Sequence, residues 1–184
     1  MTSHYFIAIK VPSSIRHQVE HYRSILKLEQ VYKILPVLDD LHITLFFIGG
    51  LTEQQLDLLN ERLAALAMNI QPFPLSIDGL SYFGSPTGPR VVYLSVTPSD
   101  ELHLLQQSIA NSVRELLSIE ATNPFTPHIT IAKKRKTTVD SVIPIEKFTN
   151  VDFTAEEFSL YTIHPAKTPK YEAVYTYSLK NLLG

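Results

Sequence analysis

The chain has 184 residues, of which 45% are hydrophobic and 18% charged, and it carries a formal net charge of −2. This composition is typical of one globular domain or two small, tightly joined lobes, and it excludes disordered, collagen-like and coiled-coil proteins. The absence of cysteine excludes a disulfide framework, a zinc finger and a thiol nucleophile. The net charge argues against a bulk polyanion binder but leaves room for a local basic patch.

Nothing in the sequence indicates a membrane segment. No apolar run approaches the roughly 18 residues that span a bilayer. Residues Met1–Lys10 contain a five-residue apolar stretch without the basic flank and small-residue cleavage site of a signal peptide. We therefore expect a cytoplasmic protein that does not contact membranes.

Alternating or continuous apolar runs bounded by glycine and proline predict seven strands. In chain order these are His4–Lys10, Leu41–Ile48, Phe73–Phe83, Arg90–Val96, His128–Lys133, Val151–Ile163 and Tyr171–Leu179. A turn-rich loop over Gly84–Pro89 joins the third and fourth strands. Val31–Leu35 is too short to assign.

Three helices are predicted from their start signals. Ser13 or Ser14 caps the first helix, Thr52 forms a capping box with Gln55 at the second, and Ser99 caps the third. The inward-facing stripes are Ile15, Val19, Tyr22 and Leu26; Leu56, Leu59, Leu63 and Leu66; and Leu102, Leu105, Ile109, Val113 and Leu116.

Strands and helices mix without strict βαβ alternation, which predicts an α+β fold with antiparallel sheets. The order strand, helix, histidine strand occurs twice, ending at Thr44 and at Thr130, and indicates a degenerate internal duplication. No linker separates independent domains, so residues 1–184 are expected to form a single two-lobed domain.

The most informative feature is a four-residue motif that occurs twice, as His42-Ile43-Thr44-Leu45 and as His128-Ile129-Thr130-Ile131. Side chains alternate along a strand, so His42 and Thr44 are expected on one face and Leu41, Ile43, Leu45 and Phe47 on the other. The second motif divides in the same way. If the two strands face each other across a cleft, two imidazoles and two hydroxyls converge.

Such a pair suits acid–base chemistry at phosphorus. Because imidazole has a pKa near 6.5, one ring can accept a proton from a nucleophile while the other donates one to a leaving group. Threonine hydroxyls can hydrogen-bond non-bridging phosphate oxygens. No carboxylate-rich metal cluster accompanies the histidines, so neither a metal nor another cofactor is expected.

These residues resemble the two-histidine (2H) phosphoesterases, specifically the RNA 2′,3′-cyclic phosphodiesterase group, once called 2′-5′ RNA ligases and including LigT- and ThpR-like proteins. The similar segments are HYFIAIKVP, LHITLFFIGG, Phe83–Leu94 with its Gly-Pro-Arg, and FTPHITIA over Phe125–Ala132. The resemblance implies a bilobal α+β fold with pseudo-twofold duplicated lobes. Each lobe would be an antiparallel sheet backed by helices, with the active-site cleft between the lobes.

The resemblance also implies residue roles. His42 would be the proton donor to the leaving 3′ oxygen and His128 the proton acceptor that activates water, giving a 2′-phosphomonoester. Thr44 and Thr130 would bind the phosphate. The implied partners are RNA ends or cyclic nucleotides that carry a 2′,3′-cyclic phosphate. The protein is expected to act as a monomer without an obligate protein partner, and 2′-5′ RNA ligation is implied as the reverse reaction.

Two departures from the family pattern affect substrate binding. The family usually has arginine soon after the second motif, where this chain has Lys133, followed by Lys134 and Arg135. Near the C-terminus only Tyr171 matches a stretch in which the family often has serine and glycine. Lys133, Arg135, Arg90 and Tyr171 are therefore the further candidates for substrate contacts.

The sequence is also compatible with other functions, and it contains other histidines. The chain could be a non-catalytic nucleotide or RNA-end binding module, or a 2H enzyme acting on ADP-ribose cyclic phosphate or 2′-5′ oligoadenylate. His17 and His21 have a metal-capable spacing but are expected on the polar surface of their helix. Phe46, Tyr82 and Phe125 are expected in the core rather than as stacking platforms for bases.

Overall fold

A computed structural model describes residues 3–136, 138 and 140–180, and the statements below concern these residues. The strands are β1 (His4–Lys10), β2 (Tyr32–Ile34), β3 (His42–Gly50), β4 (Phe73–Ser85), β5 (Gly88–Val96), β6 (His128–Arg135), β7 (Glu146–Ala155), β8 (Glu157–Ile163) and β9 (Tyr171–Ser178). The helices are α1 (Arg16–Ile25), α2 (Leu28–Val31), α3 (Glu53–Ala67) and α4 (Asp100–Leu117).

The strands form two antiparallel sheets. One has the order β3-β1-β8-β9 and the other the order β2-β6-β5-β4-β7. The two histidine motifs begin β3 and β6, so each sheet carries one motif, and these two strands lie against each other between the sheets. The expected α+β architecture of two helix-backed antiparallel sheets is confirmed.

Helices α1 and α4 are exchanged between the halves of the molecule. Helix α1 lies in the chain between β1 and β3 of the four-stranded sheet, yet it packs against β6 of the other sheet. Helix α4 lies between β5 and β6 of the five-stranded sheet, yet it packs mainly against α3 and β3 and contacts β4 of its own sheet less extensively. Each half therefore supports the motif strand of the other half.

Each motif strand contains a β-bulge at the fourth residue of the motif. Between β1 and β3, Ile7 pairs with Phe46 and Ala8 with Thr44, which leaves Leu45 as the extra residue. Between β5 and β6, Val92 pairs with Ala132 and Tyr93 with Thr130, which leaves Ile131 as the extra residue. A bulge places two successive residues against one partner and so interrupts the alternation of side chains.

The first bulge overturns one prediction about which face a side chain occupies. Phe47 was expected on the core face, but its side chain is 57% exposed. Phe46 is buried in its place, which confirms the prediction that Phe46 belongs to the core. The second bulge acts in the same way, because Lys133, at the position equivalent to Phe47, also lies on the motif's histidine side.

The predicted strand Val151–Ile163 is in fact parts of two strands in different sheets. β7 pairs with β4, whereas β8 pairs with β1, and Glu156 lies between the two strands. The carbonyl of Glu156 accepts a hydrogen bond from the backbone of Leu179 at 2.8 Å. The prediction was wrong because a continuous β-rich stretch does not reveal that the chain changes sheets.

A single buried cluster connects the two sheets and their helices. Three of its members illustrate the span, since Ile7 comes from β1, Ile129 from β6 and Ile109 from α4, and each is fully buried. Apolar burial stabilises proteins by roughly 25 cal/mol per Å². The motif strands are therefore fixed through their apolar faces, which leaves the opposite faces available for chemistry.

Two predicted helix caps are confirmed and one is wrong. Thr52 and Gln55 form the capping box, and the side chain of Ser99 accepts a hydrogen bond from the Leu102 backbone. At the first helix, Ser13 begins a short 3-10 turn and no side chain caps it, because Pro12 occupies the N-cap position.

We predict that Thr52→Ala lowers the free energy of unfolding by about 1 kcal/mol, because it removes the cap of α3. The control is Ser13→Ala, an exposed serine at a helix start without a side-chain cap, which should change stability by less than about 0.5 kcal/mol. Urea titration of both variants followed by circular dichroism provides the measurement. Equal effects would contradict the assignment of the cap.

Candidate active site

The His42 ring is held by one hydrogen bond on each nitrogen. Its Nδ1 lies 2.7 Å from the backbone oxygen of Asp40, and its Nε2 lies 2.9 Å from Oγ1 of Thr44. A carbonyl oxygen can only accept, so Nδ1 carries the hydrogen. In the neutral ring Nε2 is therefore the acceptor and the Thr44 hydroxyl donates to it.

The second histidine repeats this arrangement. Nδ1 of His128 lies 2.6 Å from the backbone oxygen of Thr126, again the residue two positions before the histidine. The same reasoning puts the hydrogen on Nδ1 and leaves Nε2 as the unprotonated nitrogen of the neutral ring. Both motifs thus fix the same tautomer by the same backbone contact.

Each imidazole is also packed against two aromatic rings. The centroid of His42 lies 4.9 Å from that of Phe6 and 5.1 Å from that of Tyr171. The centroid of His128 lies 4.8 Å from that of Phe83 and 5.2 Å from that of Tyr93. These rings restrict the orientation of the imidazoles and remove water from their faces.

Two cavities adjoin at Thr44. The His42 cavity, of about 230 Å³, contains residues of both sheets, among them His42, Thr44, Thr130, Lys133 and Tyr171. The His128 cavity, of about 430 Å³, is lined by Thr44 and His128 together with Phe83, Arg90, Gln106 and Phe125. The two histidines therefore open onto neighbouring parts of one cleft between the sheets.

Burial lowers the pKa of both histidines. The pKa of His42 falls to about 4, chiefly through loss of hydration, although the hydrogen bond to the Asp40 carbonyl opposes the decrease. The positive charge of Lys133 lowers the pKa of His42 further, as does that of His128 whenever its ring is protonated. The pKa of His128 is also lowered by burial. These shifts favour the neutral form of both rings at pH 7.

Asp40 connects His42 to the loop that precedes β9. While its backbone oxygen binds the His42 ring, its carboxylate accepts hydrogen bonds from the backbone nitrogens of Lys170 at 2.9 Å and Tyr171 at 3.1 Å. This side chain is 94% buried, since only 6% of its surface is accessible. Asp40 thus places the Tyr171 ring against His42. Its charge also opposes the effect of burial on the pKa of Lys133.

The bulge in each motif is stabilised from the opposite half of the molecule. Nε2 of Gln106, on α4, donates to the oxygen of the bulged residue Leu45 at 3.3 Å. Arg23, on α1, donates to the oxygen of the other bulged residue, Ile131, through Nε at 3.1 Å and Nη2 at 3.0 Å. A bulge leaves backbone groups out of the sheet ladder, and these side chains donate hydrogen bonds to the two carbonyls concerned.

The structure brings together most of the predicted site residues, but not all of them. Thr130, Lys133 and Tyr171 line the His42 cavity together with Thr44, and Arg90 lines the His128 cavity. Arg135 lines neither of these two cavities. Its guanidinium packs against Gly88, the first residue of β5, and its charge acts on Tyr32, so its contact with substrate stays a prediction.

The position of Arg135, away from the two histidine cavities, has a local cause. Lys134, which precedes it, has a φ of 59° and so adopts the left-handed backbone conformation. This residue interrupts the strand geometry immediately after Lys133 and directs Arg135 toward the neighbouring hairpin. A basic run read from sequence alone does not show such a reversal.

Sequence reasoning missed several residues around the histidines, namely Phe6, Pro36, Asp40, Phe47, Phe83 and Ile163. Asp40 could have been found, because a buried strand that begins with histidine needs an acceptor for Nδ1–H, and the residue two positions earlier is within reach. Phe125 was expected in the core. It packs against the core but also lines the His128 cavity.

Two further observations concern metals and membranes. His17 and His21 are both exposed on α1, as expected, and the described residues contain no group of three or more histidine, aspartate or glutamate side chains that could hold a metal ion. No helix in the described part of the chain is long and apolar enough to cross a membrane.

Comparison with known proteins agrees with this geometry. The family model described as the 2′-5′ RNA ligase superfamily matches residues 11–166. The chain belongs to this superfamily. The RNA 2′,3′-cyclic phosphodiesterase of Bacillus subtilis is 31% identical over 181 residues, with 96% of each chain covered. The protein of the same name from Escherichia coli is 30% identical over 159 residues, covering 85% of this chain and 84% of the relative.

Two solved bacterial structures have the same fold as this chain. TT0787 of Thermus thermophilus superposes with a TM-score of 0.83 at 26% identity, covering 97% of this chain and 99% of that chain. Escherichia coli LigT in complex with phosphate superposes with a TM-score of 0.76 at 25% identity, covering 98% of this chain and 99% of that chain.

We predict that Gln106→Leu lowers the free energy of unfolding by about 1–3 kcal/mol, because the buried oxygen of Leu45 loses its donor. Catalytic turnover should also fall, since the bulge positions the strand of His42. The matched control is Gln107→Leu, the exposed neighbour on α4, which should leave both nearly unchanged. Urea titration measures the stability and initial rates at one pH measure the turnover. Equal stability and equal turnover of the Gln106→Leu and Gln107→Leu variants would contradict this role of Gln106.

Proposed function

We propose that this protein hydrolyses the 2′,3′-cyclic phosphodiester at RNA or nucleotide ends to a 2′-phosphomonoester, without a metal ion. The observation that carries the proposal is the pair of equivalent imidazoles that open onto one cleft, each held through Nδ1 by a backbone carbonyl, which leaves Nε2 as the unprotonated nitrogen of the neutral ring. Relatives across almost the whole chain length bear the name RNA 2′,3′-cyclic phosphodiesterase, which supports the substrate class.

His128 acts as the general base in this proposal. The lowered pKa keeps its ring neutral, and Nε2 takes a proton from a water molecule as the oxygen of that water attacks phosphorus. The bond between phosphorus and the 3′ oxygen then breaks, while the bond to the 2′ oxygen remains. The proton accepted by His128 returns to solvent after the product leaves.

His42 acts as the general acid that protonates the departing 3′ oxygen. Its ring must first gain a proton, and a bound phosphodiester anion supplies the negative charge that raises its pKa. The carboxylate of Asp40 acts in the same direction on His42. The assignment of His42 as the donor follows the resemblance to the 2H phosphoesterases, and no corresponding carboxylate is among the causes that shift the pKa of His128.

The remaining cavity residues bind and orient the phosphate. The hydroxyls of Thr44 and Thr130 donate to non-bridging oxygens, and the ammonium group of Lys133 offsets their charge. When an anion is bound, Thr44 is released from donating to His42 because the protonated Nε2 becomes a donor itself. Tyr171 packs against His42, and Arg90 provides a cation on the His128 side.

The same geometry accommodates related reactions. A 5′-hydroxyl of a second RNA in place of water would give 2′-5′ ligation. Both motifs lie in one chain, so a monomer holds the complete site. A binding module without turnover would use the same cleft, as would an enzyme for ADP-ribose cyclic phosphate or 2′-5′ oligoadenylate. The competing interpretations are separated by turnover and by the product formed.

The proposal predicts that His42→Asn and His128→Asn each lower kcat by about 10²–10⁴-fold, the contribution of one acid or base group. The substrate is a short RNA with a 2′,3′-cyclic phosphate, incubated with excess EDTA, and chromatography separates 2′- from 3′-phosphate products. The control is His103→Asn, an exposed histidine on α4, which should retain the wild-type rate.

Formation of the 2′-phosphate in EDTA, with loss of turnover in only the two motif variants, is the expected result. A 3′-phosphate product would overturn the assignment of the leaving oxygen. Turnover abolished by EDTA would overturn the metal-independent mechanism, and wild-type protein that binds but does not convert this RNA would favour the binding module.

A further inference from the structure

A second basic cavity, which we call the lysine groove, adjoins the His42 cavity. Its volume is about 430 Å³, and Lys33, Lys133, Lys134 and Lys170 line it. The two cavities share Lys133 and also the side chains of Pro36, Asp40, Ile163 and Tyr171. A ligand that occupies the His42 cavity can therefore extend directly into the lysine groove.

Rigid elements of both halves present these lysines. Lys33 belongs to β2, the edge strand of its sheet, and Lys133 and Lys134 belong to β6, with which β2 pairs through Ile34 and Lys133. Lys170 precedes β9 of the other sheet, and the Asp40 carboxylate holds its backbone nitrogen at 2.9 Å. The groove thus has fixed walls on two sides.

The positive charge of the groove is largely uncompensated. None of the four ammonium groups lies within 4.0 Å of a carboxylate oxygen of the described residues. Among the described residues that line the groove, Asp40 is the sole acidic one, and both of its carboxylate oxygens already accept backbone hydrogen bonds. Four cations around one cavity repel each other, and a bound polyanion relieves this repulsion.

We propose that the lysine groove binds the phosphodiester backbone of the RNA strand upstream of its cyclic end, and so makes the enzyme prefer RNA over mononucleotides. This inference rests on the proposed function, which places the terminal phosphate beside His42. Ammonium groups bind phosphates as point charges without reading the base, so the preference is for chain length and not for sequence.

The test compares wild-type protein with the triple variant Lys33→Gln, Lys134→Gln, Lys170→Gln. Lys133 remains because it also lines the catalytic cavity. The control is the double variant Lys27→Gln, Lys180→Gln, which removes exposed lysines that lie outside the groove. The substrates are a cytidine 2′,3′-cyclic phosphate and a ten-nucleotide RNA with the same terminus. Binding of a fluorescent ten-nucleotide RNA with a 2′-phosphate is measured by anisotropy.

We expect the triple variant to lose about tenfold in kcat/KM for the RNA at low salt and to keep the wild-type value for the mononucleotide. The slope of log affinity against log salt should become shallower by about 2, because each lost phosphate contact removes roughly 0.7 from a single-strand slope. Equal effects on both substrates, or an unchanged RNA affinity, would overturn the proposal.

The anisotropy measurement keeps this inference separate from the proposed function. If wild-type protein converts neither substrate, the proposed function fails, but a weakened RNA affinity in the triple variant still supports the groove as an RNA site. If turnover is present and the triple variant binds RNA as tightly as the control does, the groove proposal fails alone.

Discussion

The structure depends on the exchange of helices between its two halves. α1 precedes the first histidine strand but supports the second, and α4 precedes the second but supports the first. At each crossing one side chain, Arg23 or Gln106, binds the carbonyl of a bulged residue immediately after the threonine of the motif. Neither motif can therefore be positioned without the other half, which explains why the two sheets share one core.

The bulges connect this constraint to the chemistry. Without them, regular alternation would send Phe47 and Lys133 away from the histidines. With them, both side chains border the His42 cavity, so one half contributes an aromatic ring and the other a cation at equivalent positions. The two motifs thus supply an equivalent pair of imidazoles within an asymmetric binding surface.

Much of the fold and the centre of the site could be predicted from the sequence, because they depend on local patterns. The histidine strands, the capping box at Thr52 and the antiparallel architecture all follow from periodicity and turn chemistry. The bulges, the sheet change at Glu156 and the position of Arg135 depend on tertiary pairing, which leaves no local signal. For Asp40, the hydrogen bond from the His42 ring to its backbone oxygen could be predicted from sequence spacing. The contact of its carboxylate with the loop before β9 could not, because that contact depends on tertiary structure.

The proposed mechanism needs both imidazoles to be neutral in the free protein and the phosphate anion to supply the charge for acid catalysis. NMR titration of ¹⁵N-labelled histidines, with and without a bound 2′-nucleotide, measures both properties. We expect Nδ1–H tautomers, a pKa of about 4 for His42, and a lowered pKa for His128 in the free protein. Binding should raise the pKa of His42 toward neutrality. A free-protein His42 that is charged at pH 7, or a pKa that binding leaves unchanged, would contradict the account.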